Sequence, residues 1–227
     1  MLLGFQIALQ CLALSPSELK LPAIIGSNMV VQQGAIVPIW GKTAPGRLVK
    51  VTFAKQTKTV TSDATGAWTV RFRNLKAGPG GDMVITDGKS TVTFSNVLVG
   101  DVWICSGQSN MEWPLAQAND AEREIRSASY DEIRLFKVAK NADTFWKGDV
   151  QGEWKVCRPE TARDFSAVGY FFGRSLYQSE KAPVGLIDSS WGGTPAQAWT
   201  PLSKLDSMPE TRAMSQGFAQ KWEQFKK

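Results

Sequence analysis

Between residues 21 and 99 apolar side chains recur at alternate positions. Val49, Val51 and Phe53 alternate with Lys50 and Thr52, and Trp68, Val70 and Phe72 alternate with Thr69 and Arg71. A period of two gives each strand one apolar and one polar face, as in half-buried antiparallel sheets. Turn formers separate the runs at Ala44-Pro45-Gly46, Asp63-Ala64-Thr65-Gly66, Gly78-Pro79-Gly80-Gly81 and Asp87-Gly88. Residues 20–99 are therefore expected to form a small all-β sandwich domain able to fold on its own.

After Gly100 the pattern changes, and residues 100–227 read as α/β. Residues 102–105 form a short apolar strand; residues 118–129 form a helix with Asn119 or Asp120 near its start; residues 133–138 form a second strand. Asp164 or Ser166 can cap a helix running to about Ser179, with Val168, Phe171, Phe172 and Leu176 on one side. Ala182-Pro183 then leads into the apolar run 184–187, a buried parallel strand. Strand, helix, strand, helix, strand implies an α/β layer. Residues 145–159, with Trp146 and Trp154, lack a period and read as a loop, either lining a sugar site or simply connecting elements. Residues 208–227 suit an amphipathic helix with no later strand to pack upon, so the sequence reads as stopping inside a domain.

Composition narrows the function classes. With 227 residues the chain can bury the core of one or two domains, and 43% apolar against 21% charged residues is ordinary for a soluble globular protein. The net charge of +5 comes from dispersed lysines and arginines without a basic stripe, which argues against nucleic acid as a partner. Residues 1–17 are apolar but broken by Gln6 and Gln10 and lack a basic start, too short and polar to span a membrane. They read as a weak secretory signal, placing the protein in the periplasm or outside the cell; a mis-assigned start or a buried N-terminal helix is the alternative. Removing that segment with Cys11 would leave Cys105 and Cys157, either a disulfide or two buried thiols. With no histidine and no C-x-x-C pair, no metal site is expected, and nothing calls for a cofactor. Most of the nine tryptophans are expected to fill β cores, the remainder being free to grip sugar rings.

The candidate chemistry lies where the strand 102–105 runs into Ser106-Gly107-Gln108-Ser109-Asn110. Small polar residues there suit a tight turn at a strand's carboxyl end, where open α/β sheets collect their ligands. A serine so placed becomes a nucleophile if a base removes its proton and N–H groups stabilise the resulting oxyanion. The Gly-Gln-Ser-Asn spacing alone fits a plain solvated turn equally well.

The run 101–113, DVWICSGQSNMEW, together with Ser189-Ser190-Trp191-Gly192-Gly193-Thr194-Pro195 and Ala198-Trp199, resembles the bacterial sialate O-acetylesterase family of SGNH-type serine esterases. Leu21-Pro22, Asn28-Met29-Val30-Val31-Gln32 and Val37-Pro38-Ile39-Trp40-Gly41 resemble that family's leading β-domain, so the likeness covers roughly residues 20 to 205. It implies an SGNH-hydrolase-like three-layer α/β domain, incomplete here, after the β-sandwich. It also implies that Ser109 is the nucleophile and donates one oxyanion N–H, with Gly192 or Gly193 as the second donor. Gln108 and Asn110 would hold the turn through side-chain hydrogen bonds. The implied substrate is an acetylated sugar, a sialic acid first. Alternatives are an acetylesterase acting on plant polysaccharide and a non-catalytic carbohydrate-binding protein. Nothing in the pattern fixes an oligomeric state.

The family's catalytic histidine, with its aspartate a few residues before it, and its Gln-Gly-Glu block have no counterpart in this sequence. A carboxylate with an ordinary pKa near ~4 is a poor base for a hydroxyl, and a lysine serves only if burial lowers its pKa. The residue three after Ser109 is Glu112, so no Ser-x-x-Lys pair replaces the histidine. The sequence is accordingly read as the N-terminal portion of an esterase, inactive alone.

Overall fold

A computed structural model describes residues 19–141 and 148–225 of the chain. Seven strands precede the first helix: β1 Val30–Gln32, β2 Val37–Lys42, β3 Leu48–Phe53, β4 Gln56–Thr61, β5 Ala67–Phe72, β6 Gly78–Thr86 and β7 Thr91–Gly107. The alternation expected from the sequence is realised, with Val49, Val51, Phe53, Trp68, Val70 and Phe72 all buried. β2 and β5 form an antiparallel ribbon over the larger sheet, and Phe72 meets Phe53 edge to face at 5.9 Å between ring centroids.

β7 is 17 residues long and organises the sheet. Its first part pairs antiparallel with β6; Leu98–Gly100 pair in parallel with β1; Asp101 to Gly107 pair in parallel with β10, Val184–Ser190. Gly100 stands at the changeover, where a Cβ would lie 1.9 Å from the Pro183 carbonyl oxygen. The boundary expected at Gly100 thus falls inside a strand rather than a linker, because the same backbone supplies hydrogen bonds to both halves.

The chain then runs through α1 Ser109–Glu112, α2 Ala121–Ser127, β8 Tyr130–Lys137, β9 Trp154–Cys157, α3 Pro159–Ala162, α4 Ala167–Glu180 and β10, and ends in α5 Leu202–Ser207 and α6 Pro209–Phe225. The result is an eight-stranded mixed sheet in the order β4-β3-β6-β7-β10-β8-β9, with β1 also on β7. Ile133 and Leu135 of β8 and Val184 and Leu186 of β10 share one core with Ile125 of α2 and Tyr170 of α4. The opposite face carries Phe136, Val102 and Ile187 into the β-rich core, leaving Ile104 69% exposed. Among the described residues the helices packed on the sheet cover one face, so the second helical layer of a three-layer domain is not seen.

Three expectations are corrected locally. Ser166 does cap α4, accepting from the Gly169 N–H, but Val168 and Phe172 face outward. Phe171 and Leu176 pack against the core as expected, and Gly169 and Gly173 let the helix sit directly on Cys105 and Leu186, where an added Cβ would lie 3.0 and 2.5 Å away, so that Tyr170 and the glycines complete the packed side. Trp154 is a core residue rather than part of a loop: it packs on Phe136 at 5.3 Å and donates its indole N–H to the Ile24 carbonyl. Of the tryptophans whose burial is described, Trp68 and Trp154 are buried and Trp191 is half-buried, while Trp40, Trp103, Trp113 and Trp199 are exposed. Core filling therefore accounts for fewer than expected.

Residues 1–17 with Cys11, and Phe145 and Trp146, lie outside the described residues. Cys105 and Cys157 are both buried free thiols, which settles that alternative against a disulfide. No described helix is long and apolar enough to cross a membrane.

Arg134 is 2% exposed and crosses between the two parts, donating to the side chain and carbonyl of both Asn28 and Asn96. With Trp154 it makes the β-rich and α/β parts share a core. Trp154→Ala should cost ~3–5 kcal/mol. Denaturant unfolding followed by near- and far-UV signals should show one transition shifted as a whole; two separated transitions would show that the parts unfold independently.

Candidate active site

β7 ends at Gly107, whose φ of +138° lies outside the range open to most L-residues and lets the strand turn sharply. Gln108 follows, and α1 begins at Ser109. The Met111 and Glu112 N–H groups donate to the Gln108 carbonyl, and the Trp113 N–H donates to the Ser109 carbonyl, so the turn is closed by its own backbone. The Trp191 N–H donates to the Gly107 carbonyl at 2.9 Å, tying the exit of β10 to the exit of β7. Ser109 and Gly192 thereby meet. A Cβ built on Gly192 would stand 3.5 Å from the Ser109 Oγ.

The expected residues separate at this point. Ser109, Gly192 and Gln108 come together, and the Ser109 hydroxyl donates to the Gln108 Oε1 at 3.0 Å. Gly193 is set back: its φ is +77°, and a Cβ there would meet nothing within 4 Å, so it shapes the turn while Gly192 faces the serine. Asn110 is exposed and makes no side-chain hydrogen bond among the described residues, so the bracing expected of it is not seen.

Four groups were not singled out by sequence. Glu112 reaches across the site, accepting from the Gly192 N–H and the Lys140 ammonium. These partners, Lys140 first, hold its carboxyl below the usual carboxylate range. Lys137 donates to the Asp164 carbonyl at 2.5 Å, and Lys140 sits 5.6 Å from the Trp191 ring centroid. Ser109, Glu112, Trp113, Lys137, Asp164 and Gly192 line an open groove of about 500 Å³. The spacing of Glu112 and Ser109 was visible in the sequence, but the meeting of Glu112 with Gly192, 80 residues further along the chain, depends on the pairing of β7 with β10.

Asp188, on β10 between Cys105 of β7 and Lys137 of β8, is 1% exposed. Its Oδ1 accepts from the Ser190 hydroxyl at 2.5 Å, and its Oδ2 has no partner among the described residues. Burial raises its pKa, against the opposing pull of Ser190 and Lys137. A carboxylate interrupting the apolar run of a parallel strand was the available signal. Cys105 and Cys157 have thiols pushed up by burial to about 11 and about 12, so neither is a ready nucleophile. No cluster of metal-ligating side chains occurs among the described residues.

The site can therefore offer an exposed serine, an adjacent backbone N–H and a groove that is cationic on one side. Among the described residues the Ser109 hydroxyl donates to the Gln108 Oε1, an amide oxygen that is not a base, and the neighbouring Glu112 carboxylate is engaged by Gly192 and Lys140.

Residues 99–217 match the family described as carbohydrate esterase, sialic acid-specific acetylesterase. Among curated relatives, the sialate O-acetylesterase of Homo sapiens is 32% identical over 203 residues, covering 80% of this chain and 38% of that protein. The sialate O-acetylesterase of Rattus norvegicus is 32% identical over 219 residues, covering 85% and 40%. A solved carbohydrate acetylesterase from Xanthomonas citri superposes with a TM-score of 0.81 at 37% identity, over 83% of this chain and 44% of that one. The chain thus spans 38–40% of the length of these curated relatives.

The Asp188 environment yields a test by pH. With its folded pKa raised, Asp188 contributes its full stability where it is protonated in both states, below about pH 4, and loses it as pH rises through the folded value. Asp188→Asn should therefore gain melting temperature relative to the parent between pH 4 and pH 7, while keeping an acceptor for Ser190. Parallel pH curves for the two proteins would contradict the assignment.

Proposed function

The chain belongs to the sialic acid-specific acetylesterase family of carbohydrate esterases, and on that footing we propose that it carries the nucleophile of a carbohydrate O-acetylesterase. The Ser109 oxygen attacks the acetyl carbonyl carbon, the bond from that carbon to the sugar oxygen breaks, and the sugar oxygen leaves with a proton. Water then hydrolyses acetyl-Ser109 to acetate and restores the serine. The Ser109 and Gly192 N–H groups serve as oxyanion donors, with Gly193 and Gln108 shaping their approach.

The observation that carries this reading is the adjacency of the Ser109 Oγ and Gly192 at the carboxyl ends of the neighbouring parallel strands β7 and β10. The relatives' names favour an O-acetylated sialic acid as substrate; plant polysaccharide acetyl esters are the second choice. The bacterial form of the family is favoured by the Xanthomonas citri likeness. The β-rich residues 20–99 are read as an accessory sandwich, residues 100–227 as part of a three-layer catalytic domain, and the protein as secreted or periplasmic.

The chain contains no histidine, and the Ser109 hydroxyl donates to an amide oxygen. We therefore read it as inactive alone, because general-base assistance is worth roughly 10² to 10⁴-fold. The purified chain should hydrolyse p-nitrophenyl acetate no faster than its Ser109→Ala variant, and prolonged exposure to a fluorophosphonate should label Ser109 rather than Ser106, Ser189 or Ser190. Ser109-dependent turnover would place a base within the chain, with Lys137 and Glu112 examined first. Labelling at another serine would displace Ser109 as nucleophile and favour a carbohydrate-binding role.

A further inference from the structure

Glu112 occupies the one place that the proposed reaction needs empty. One of its carboxylate oxygens takes the Gly192 N–H and the other takes the Lys140 ammonium. A carboxylate held by a backbone N–H and a cation is also how a bound acetate would sit. The anchoring geometry comes from the fold. Glu112 is the last residue of α1, three after Ser109, and Gly192 is pinned beside that helix by the bond from Trp191 to Gly107. Its side chain is 28% exposed and opens onto the groove, so it can leave by rotation without unpacking the core.

We infer that the Gly192 N–H and the Lys140 ammonium form a binding site for small carboxylates and carboxylate-like oxyanions, filled in the resting protein by the chain's own Glu112. An incoming ester must displace Glu112 for its carbonyl oxygen to reach Gly192, and free acetate competes for the same position. Glu112 is thus an internal competitor whose negative charge would otherwise repel the developing oxyanion. The inference extends the proposed esterase reading by naming what holds the oxyanion position, but the site itself depends only on Gly192, Lys140 and Glu112.

Acetate titration of ¹⁵N-labelled protein in the Ser109→Ala background tests the site apart from any serine chemistry, with sodium chloride matching the ionic strength. With Glu112→Ala added, the Gly192 amide resonance should move saturably with acetate, at least 10-fold tighter than with Glu112 present. Adding Lys140→Ala should weaken that response again by a similar factor. Glu112→Gln, which keeps the side chain's size, gives an intermediate response and guards against a folding defect in the alanine variant, as does retained dispersion of the amide spectrum. Equal acetate responses with and without Glu112, or no saturable movement of Gly192 in any folded variant, would overturn the inference. Either result leaves the nucleophile assignment to be decided by labelling of Ser109.

Discussion

The structure depends on one strand keeping its hydrogen bonds while changing partners. β7 pairs with β6 in antiparallel register, passes Gly100 and pairs with β10 in parallel register without interruption. The crossing is possible because Pro183 approaches Gly100 so closely that no side chain fits between them. From that point the register is set residue by residue, ending with Ser190 opposite Gly107. The place of Ser109 relative to Gly192 follows from this register, because each lies two residues beyond the last pair. A slip of one residue would turn the strand's apolar face to the wrong side and carry the serine away from the glycine.

Electrostatics then decides how the assembled site rests. Lys140 and the Gly192 N–H favour an anion at the mouth of the groove, and Glu112 supplies it. Beneath, Asp188 is buried in the sheet with one oxygen unpartnered and is pushed toward its neutral form. The two carboxyls are thus driven in opposite directions by surroundings that differ in hydration and hydrogen bonding. Neither arrangement activates Ser109, whose hydroxyl points to Gln108. On the proposed reading the serine and the Gly192 N–H are adjacent, while among the described residues no base faces Ser109.

Much of this was legible where chemistry is local. Period-two alternation located β3 and β5, and the apolar runs before Ser106 and before Asp188 located the strands that carry the site. Small polar residues and glycines follow those runs, and it was the family resemblance that singled out Ser109, Gln108 and Gly192 among them. What escaped was set by distant contacts. The apolar side of α4 was only half right, with Phe171 and Leu176 packed but Val168 and Phe172 outside, because Gly169 and Gly173, which add nothing to an apolar count, let the helix sit directly on the sheet. Trp154 looked like a loop residue because its partners, Phe136 and Ile24, lie in other elements. Glu112 looked ordinary until β10 brought Gly192 to it. A boundary at Gly100 was suggested by a real change in pattern, yet both patterns are carried by one strand.

On the proposed reading Ser109 and Gly192 are placed for attack and stabilisation, with Glu112 resting on the Gly192 N–H and no base beside the serine among the described residues. Chemical rescue by imidazole tests it most directly, since a small diffusible base can enter the open groove beside the serine. Initial rates of acetyl-ester hydrolysis would be measured against imidazole concentration for the parent chain and for Ser109→Ala, the variant reporting imidazole's own catalysis. The parent should gain a saturable rate above the variant. Identical acceleration of both proteins across the whole range would contradict it.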